Sequence, residues 1–363
     1  MSTTTQQPIY DPAKTYDDNF DQGPFGAFAK PKVYQNEGDA KQTFLGYPVY
    51  EPFGMPAGPL LNSKYVNAAL DMGFDVVCYK TQRSDVFGCN EFPNVLYVDV
   101  EGDLTLEKAA KPLVGKTTAP TDDRPLTITN SFGNPSRGPQ FWVDDLKKSI
   151  AHAGKGQLVM MSVVGTIKPG FTHEDYYDDF AATAKLAVDA GVKAIELNLS
   201  CPNVANEGIL CYTPEAVREI CRRTKEAVGD IPVVAKVGYF SEDQQELLSK
   251  VVTEMGPYVA AISSINTIPA PVVDVNGEQA LPGQNRLSSG MCGASIKWAG
   301  LDMVKRLAAL RKELNLKYEI IGVGGVMSVD DYQEYRRAGA DAVQSATGAM
   351  WKPVLAIEIK QAA

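Results

Sequence analysis

The sequence is poor in the residues that build metal centres. Among 363 residues there are two histidines, His152 and His173, and six cysteines, at 78, 89, 201, 211, 221 and 292, with no C-x-x-C pair. A zinc site or an iron–sulfur cluster held by this chain is therefore not expected. Scattered cysteines in so long a chain also argue against a disulfide framework, which suits a reducing cytosol. Positive charge is short too. The net charge of −9 argues against nucleic acid or an anionic membrane as the main partner, and an anionic substrate would need a locally supplied cation. The opening stretch "MSTTTQQPIYDPAKTYDDNFDQG" has no basic segment followed by an apolar one. Neither signal peptide nor membrane anchor is expected, and a soluble cytoplasmic protein is the default.

What is present is a regular apolar pattern, with 44% hydrophobic residues, enough for a full core. Residues 1–42 are polar and without a sustained period, and read as an extension that wraps the domain or stays loose; residues 43–363 read as the catalytic domain. From Leu158 onward short apolar runs alternate with helical stretches. "LVMMSVVG", "KAIELNLS", "PVVAKVG", "VAAISSIN", "YEIIGVGG" and "DAVQSAT" read as strands. Tyr176–Gly191, Pro214–Val228, Glu242–Met255, Ile296–Leu314 and Val329–Ala338 read as helices. Earlier, "DVVCYKT" and "PLTITNS" look like two more strands of the same kind. Repeated βα units mean a parallel sheet, and this many strands with polar C-terminal ends suit a (β/α)8 barrel, the α/β architecture of a TIM barrel, better than an open doubly wound sheet. The Pro/Gly-rich inserts Ser84–Arg124 and Pro269–Gly290 are long for connections and are expected to build over the mouth or into an interface.

In a barrel the strand ends converge on one face. They would deliver Lys80 and Thr81; Asn130, Ser131, Phe132 and Gly133; Asn198, Ser200, Cys201 and Asn203; Lys236; Asn266 and Thr267; Gly324 and Gly325; and Thr347. Carboxamides offer donors and acceptors and suit a flat heterocycle with N–H and C=O edges. The turn "GVGG" followed in order by "SATG" can offer backbone N–H groups to a phosphate. A phosphate plus a heterocycle points to a flavin or a nucleotide. Cys201 is the acid/base candidate, because a thiol titrates closest to neutrality in this set. Each residue also has a structural reading: a strand-end Cys as a small buried hydrophobe, an Asn as a turn former or cap. Lys80 and Lys236 resist that reading, since an ammonium buried without a partner is costly. The other five cysteines read as structural.

The motifs "ELNLSCPNV", "NSFGNPSRG", the Lys of "CYKT", the Lys of "VVAKVGYF" and "INTI" together resemble the class 1 dihydroorotate dehydrogenases, in particular class 1A. "SGMCGASIK", "IIGVGGV" and "AVQSATGAM" continue the resemblance, which runs from about Phe44 to Lys352. It implies an FMN-containing barrel that oxidises dihydroorotate to orotate in pyrimidine synthesis, in a cytoplasmic homodimer that passes electrons to a soluble acceptor such as fumarate. Carried over, Cys201 is the base that takes the C5 proton while the C6 hydride leaves to the flavin. Lys80, Asn130, Ser131, Phe132, Gly133, Asn134, Asn198, Asn203, Asn266 and Thr267 would hold the substrate. Ala57, Lys80, Thr81, Asn198, Lys236, Ile265, Gly293, Gly324, Gly325, Ala346 and Thr347 would hold FMN. The chain departs from the family pattern at Ala57 (usually Ser), Ala346 (usually Gly), Asn134 and Ser136 (usually Leu and Asn).

Three rivals share part of this pattern, one of them a flavin-binding regulatory protein that has lost turnover, which would be yellow but unresponsive to dihydroorotate. A dihydropyrimidine dehydrogenase-like domain has the "NLSCP" and "NT" elements and acts on a neutral ring. A lyase of another class would use Lys236 as a Schiff base, but leaves the asparagines unexplained.

Overall fold

The computed structural model describes residues 7–122, 124–200, 210–284 and 286–363. Its centre is a closed barrel of eight strands: β1 (Phe53–Met55), β2 (Val76–Gln82), β3 (Leu158–Val163), β4 (Ile195–Asn198), β5 (Val233–Val237), β6 (Ala261–Ser264), β7 (Glu319–Val323) and β8 (Ala342–Gln344). They lie in chain order around the barrel, every neighbouring pair parallel, with β2 against β3 and β8 against β1. Seven of the eight strands are buried along their whole length, and only Glu319 at the start of β7 is part-exposed. This is why they read as continuous apolar runs rather than alternating ones.

A helix follows each strand: α1 (Ser63–Asp71), α2 (Pro139–His152), α3 (His173–Asp189), α4 (Pro214–Val228), α5 (Gln245–Met255), α6 (Lys297–Glu313), α7 (Val329–Ala338) and α8 (Leu355–Ala362). Their limits follow local chemistry. A capping box of Thr172 and Asp175 starts α3, Pro214 occupies the first turn of α4, and Gly339 closes α7 in the left-handed conformation at φ 109°. One apolar layer fills the barrel interior, with Val76, Cys78, Met160, Val234 and Ile321 among its members; a larger one lies between strands and helices.

The expected (β/α)8 barrel is the observed one, with one correction. "PLTITNS" is not a barrel strand: Thr127–Asn130 belongs to a second, five-stranded sheet, antiparallel to Ser288–Gly293 and to Tyr97–Val98. The other members of that sheet, Leu113–Lys116 and Ile268–Val273, also come from the two Pro/Gly-rich inserts. An apolar run reports burial but not which sheet a strand joins. The barrel position is filled by β1, three residues too short to show a period.

Residues 7–42 pack onto the domain. Ile9, Tyr10, Tyr16, Phe20 and Phe28 are buried, and Ile9 donates its backbone N–H to the Met350 carbonyl at 3.1 Å. Below the barrel, at the N-terminal ends of the strands, Lys360 of α8 pairs with the buried Asp75 at 2.8 Å and with Asn36 at 2.7 Å. No described helix is long and apolar enough to cross a membrane.

Candidate active site

At the C-terminal ends of the strands a cleft of about 980 Å3 of empty space, its solvent-open mouth included, is shared by the barrel and the second sheet. Strand ends supply Ala57, Lys80, Thr81, Asn198, Lys236, Asn266, Thr267, Gly324, Gly325, Ala346 and Thr347. The second sheet and the loop after it supply Asn130, Phe132, Gly133, Asn134 and Gly293. Residues far apart in sequence thus meet because parallel strands deliver their ends to one face.

Ser200, expected at the mouth, does not line it, and neither do two of the residues expected to hold substrate or cofactor. Ser131 is buried, and its hydroxyl accepts from the Arg286 guanidinium, Nε and Nη2 both at 3.1 Å. Ile265 is buried beside Gly324, its backbone N–H donated to the Val323 carbonyl at 2.8 Å. Cys201 and Asn203 lie outside the described residues.

The loop that carries Phe132 and Asn134 is anchored from beneath by two buried arginines. Arg286 also donates to the carbonyls of Glu91, Pro282 and Pro93, and Arg83 donates to those of Asn134 at 2.9 Å and Gly165 at 2.6 Å. Gly133 and Asn134 turn the chain at φ 79° and 52°, a left-handed pair in which the residue without a Cβ and the short amide are the least strained choices. Lys80 is buried, donates to the Gly58 carbonyl at 2.9 Å and stands 4.9 Å from the centre of the Phe132 ring. Asn266 donates to Ser200 Oγ at 2.9 Å and reaches Asn198 Oδ1 at 3.4 Å, so the two carboxamides form one hydrogen-bonded edge. Thr81 is fixed by its hydroxyl bond to Ser162 at 3.0 Å.

Glu196, Cys292 and Met327 are among the lining residues that the strand ends did not announce. Glu196 lines the cleft from within β4, two residues before Asn198. The alternation of a strand puts the two on the same face, so an acid in a wholly buried strand was the available signal. Cys292, given a structural reading, also lines the cleft, its thiol pushed up to about 12 by burial against the opposing influence of Lys236. Met327, just after the glycine turn, had no distinguishing signal. Lys236 is itself pushed below the usual ammonium range by burial, with Glu196 and then the Cys78 and Cys292 thiols opposing the shift. Glu196 Oε2 and the Thr347 hydroxyl are buried without a hydrogen-bond partner among the described residues.

The cleft therefore has a cationic, carboxamide-rich centre and a glycine-lined end at β7 and β8, where Gly324 and Gly325 adopt φ 126° and 66°. Comparison with known proteins decides between the readings left open. Residues 110–362 match the family described as dihydroorotate dehydrogenase. A protein named dihydroorotate dehydrogenase from Dictyostelium discoideum is 38% identical over 368 residues, 99% of this chain and 98% of its own. The chain belongs to the dihydroorotate dehydrogenase family. It is an oxidoreductase, and the resemblance carried by the motifs is borne out. The catalytic subunit of dihydroorotate dehydrogenase B (NAD(+)) from Citrifermentans bemidjiense is 29% identical over 279 residues, 76% of this chain and 85% of its own. Dihydroorotate dehydrogenase A (fumarate) from Limosilactobacillus reuteri is 30% identical over 194 residues, 51% of this chain and 56% of its own.

Proposed function

We propose that this protein oxidises dihydroorotate to orotate with FMN bound in the cleft. The observation that carries the reading is the joint presence, in one cleft, of buried Lys80 and Lys236, the Asn198–Asn266 edge and the glycine-lined end. The site fits the cofactor. The Thr347 hydroxyl is buried and has no partner among the described residues where a phosphate would accept from it, with Gly324, Gly325 and Ala346 beside it. Lys236, Asn198, Ala57, Thr81 and Gly293 would face the ring system. FMN held there would supply the acceptor for the hydride lost from C6 of the substrate.

The protein's own side chains do the rest. Lys80 meets the substrate carboxylate, which a chain of net charge −9 must neutralise locally. Asn130, Asn134, Asn198, Asn203, Asn266 and Thr267 bond the ring's amide edges, and Phe132 and Gly133 shape the loop over it. Cys201 accepts the C5 proton as general base. The electron acceptor we assign is a soluble one of the fumarate kind, in a cytoplasmic homodimer; a relative named for fumarate supports it.

The test is anaerobic mixing of the purified protein with dihydroorotate while flavin absorbance is followed. Bleaching by dihydroorotate, but not by neutral dihydrouracil, is expected. Equal bleaching by both would move the assignment to a neutral-ring enzyme, and a protein that cannot be loaded with FMN would end the flavin reading.

A further inference from the structure

The cleft wall holds a group that the proposed reaction leaves without a role. Glu196 is 2% exposed and its side chain reaches the cleft from inside the barrel. Its oxygens are unequally engaged: Oε1 lies 3.9 Å from the Cys78 thiol, and Oε2 is buried with no hydrogen-bond partner among the described residues. On the adjacent strand Lys236, 5% exposed, lines the same cleft. The register sets Asn198 opposite Lys236 and Glu196 opposite Val234, so the acid lies one pleat step deeper than the ammonium. A buried acid that served only to fix the lysine would spend its free oxygen on it. Among the described residues this one leaves that oxygen open, while Glu196 still opposes the downward shift of Lys236. In a water-poor interior an unscreened charge acts over several ångströms, so whatever occupies the cleft feels the two together.

We propose that Glu196 is a positioning residue of the redox site: the negative charge it holds inside the barrel beside Lys236 sets how readily the flavin in this cleft accepts electrons. The proposal rests on the FMN reading above. Lys236 alone would draw electrons to the ring, and Glu196 offsets that pull, keeping the cofactor able to pass its electrons on. The role is electrostatic, so it belongs to the charge and not to the shape of the side chain.

The experiment is measurement of the reduction potential of bound FMN, by equilibration with reference dyes, in the wild type and in E196Q and E196D. E196Q keeps the shape and removes the charge; its flavin is expected to be reduced more readily by at least about tenfold in the equilibrium constant, a rise of ~30 mV for two electrons. E196D keeps the charge and is expected to stay near the wild-type value. A flavin-loaded E196Q with the wild-type potential, or an E196D that shifts as far as E196Q, overturns the proposal. Should E196Q not fold, K236Q and the double variant K236Q/E196Q read the same quantity. The potential should fall in the first and recover by about tenfold in the second, and equal potentials overturn the proposal. A wild-type chain that holds no FMN overturns the flavin reading itself, which separates the two failures.

Discussion

A thiol near neutrality is mostly protonated, so the work assigned to Cys201 depends on the substrate bringing an acidic C–H to it. Removing that thiol should leave FMN in place, since all the proposed flavin contacts except Asn198 come from other strand ends. Cys201→Ala is expected to slow flavin reduction by dihydroorotate by about 10²- to 10⁴-fold, the usual worth of one general base. The reductive half-reaction must be measured in a stopped-flow instrument, because turnover also contains the acceptor step. A wild-type rate would place the base elsewhere. Lys80 is a separate case, a cation held by the Gly58 carbonyl and facing the Phe132 ring. Lys80→Met should weaken orotate binding by roughly 10- to 100-fold, the range for losing a charge-assisted hydrogen bond of about 1.5–3 kcal/mol. An unchanged orotate affinity in a flavin titration would remove Lys80 from carboxylate recognition. These lysines were legible because a charged residue at the end of an apolar run stands out. Glu196 was not, because a strand-end inventory overlooks a residue two positions inside. Ser131 looked like a ligand beside Asn130, yet its hydroxyl faces Arg286, a partner 155 residues away that no local pattern announces.

At the scale of elements, helices were the legible part. Pro214–Val228 and Val329–Ala338 match their expected limits, because a proline start and a glycine stop are local signals. Sheet membership was not local. Thr127–Asn130 has the composition of a barrel strand, but its partners are drawn from inserts whose sequences carry little period. The lower end of the barrel shows another non-local device. Asp75 precedes β2, accepts from the Glu51 backbone at 2.8 Å and pairs with Lys360 of α8, while Tyr332 of α7 donates to Glu51. Burial pushes the Asp75 carboxyl up to about 6 even with Lys360 opposing it. Lys360→Met would leave that acid buried without its cation, and is expected to cost about 3–5 kcal/mol at neutral pH. The sign of the pH dependence follows from linkage. A carboxyl whose folded pKa is raised binds its proton more tightly in the native state, so stability is gained as pH falls from the folded value towards the unfolded 3.8. Losing Lys360 raises the folded value further, so the variant's deficit should shrink as pH drops from 7 to about 5. Urea denaturation at both pH values checks it, and a deficit that is constant or grows on acidification would show that the pair is not the reason for the loss.

At the scale of the whole molecule, the cleft is where the barrel, the second sheet and the N-terminal segment are tied together. Its wall draws on barrel strand ends and on Asn130 and Gly293 of the second sheet, while Tyr10 and Tyr16 pack on Phe132 with ring centres 5.4 and 6.1 Å apart. A ligand seated there touches elements that must all be in place at once, so its binding free energy is added to the stability of the entire fold. For a ligand that binds only the native state the gain is about 2.7 kcal/mol at 100 times Kd and about 4.1 at 1,000 times, near 1.4 for each decade of free ligand. Thermal unfolding of the cofactor-stripped protein should therefore move upward steadily as FMN is raised through two decades above its Kd. Riboflavin, which has the same ring without the phosphate, supplies the contrast. If Gly324, Gly325, Ala346 and Thr347 form the phosphate end, riboflavin should need a higher concentration for the same shift, by about the tenfold that 1.4 kcal/mol represents or more. FAD, which carries a second nucleotide beyond that end, should not exceed FMN. Equal shifts for riboflavin and FMN would mean that the glycine-lined end does not read the phosphate, and the absence of any shift with FMN would mean that this cleft is not its site.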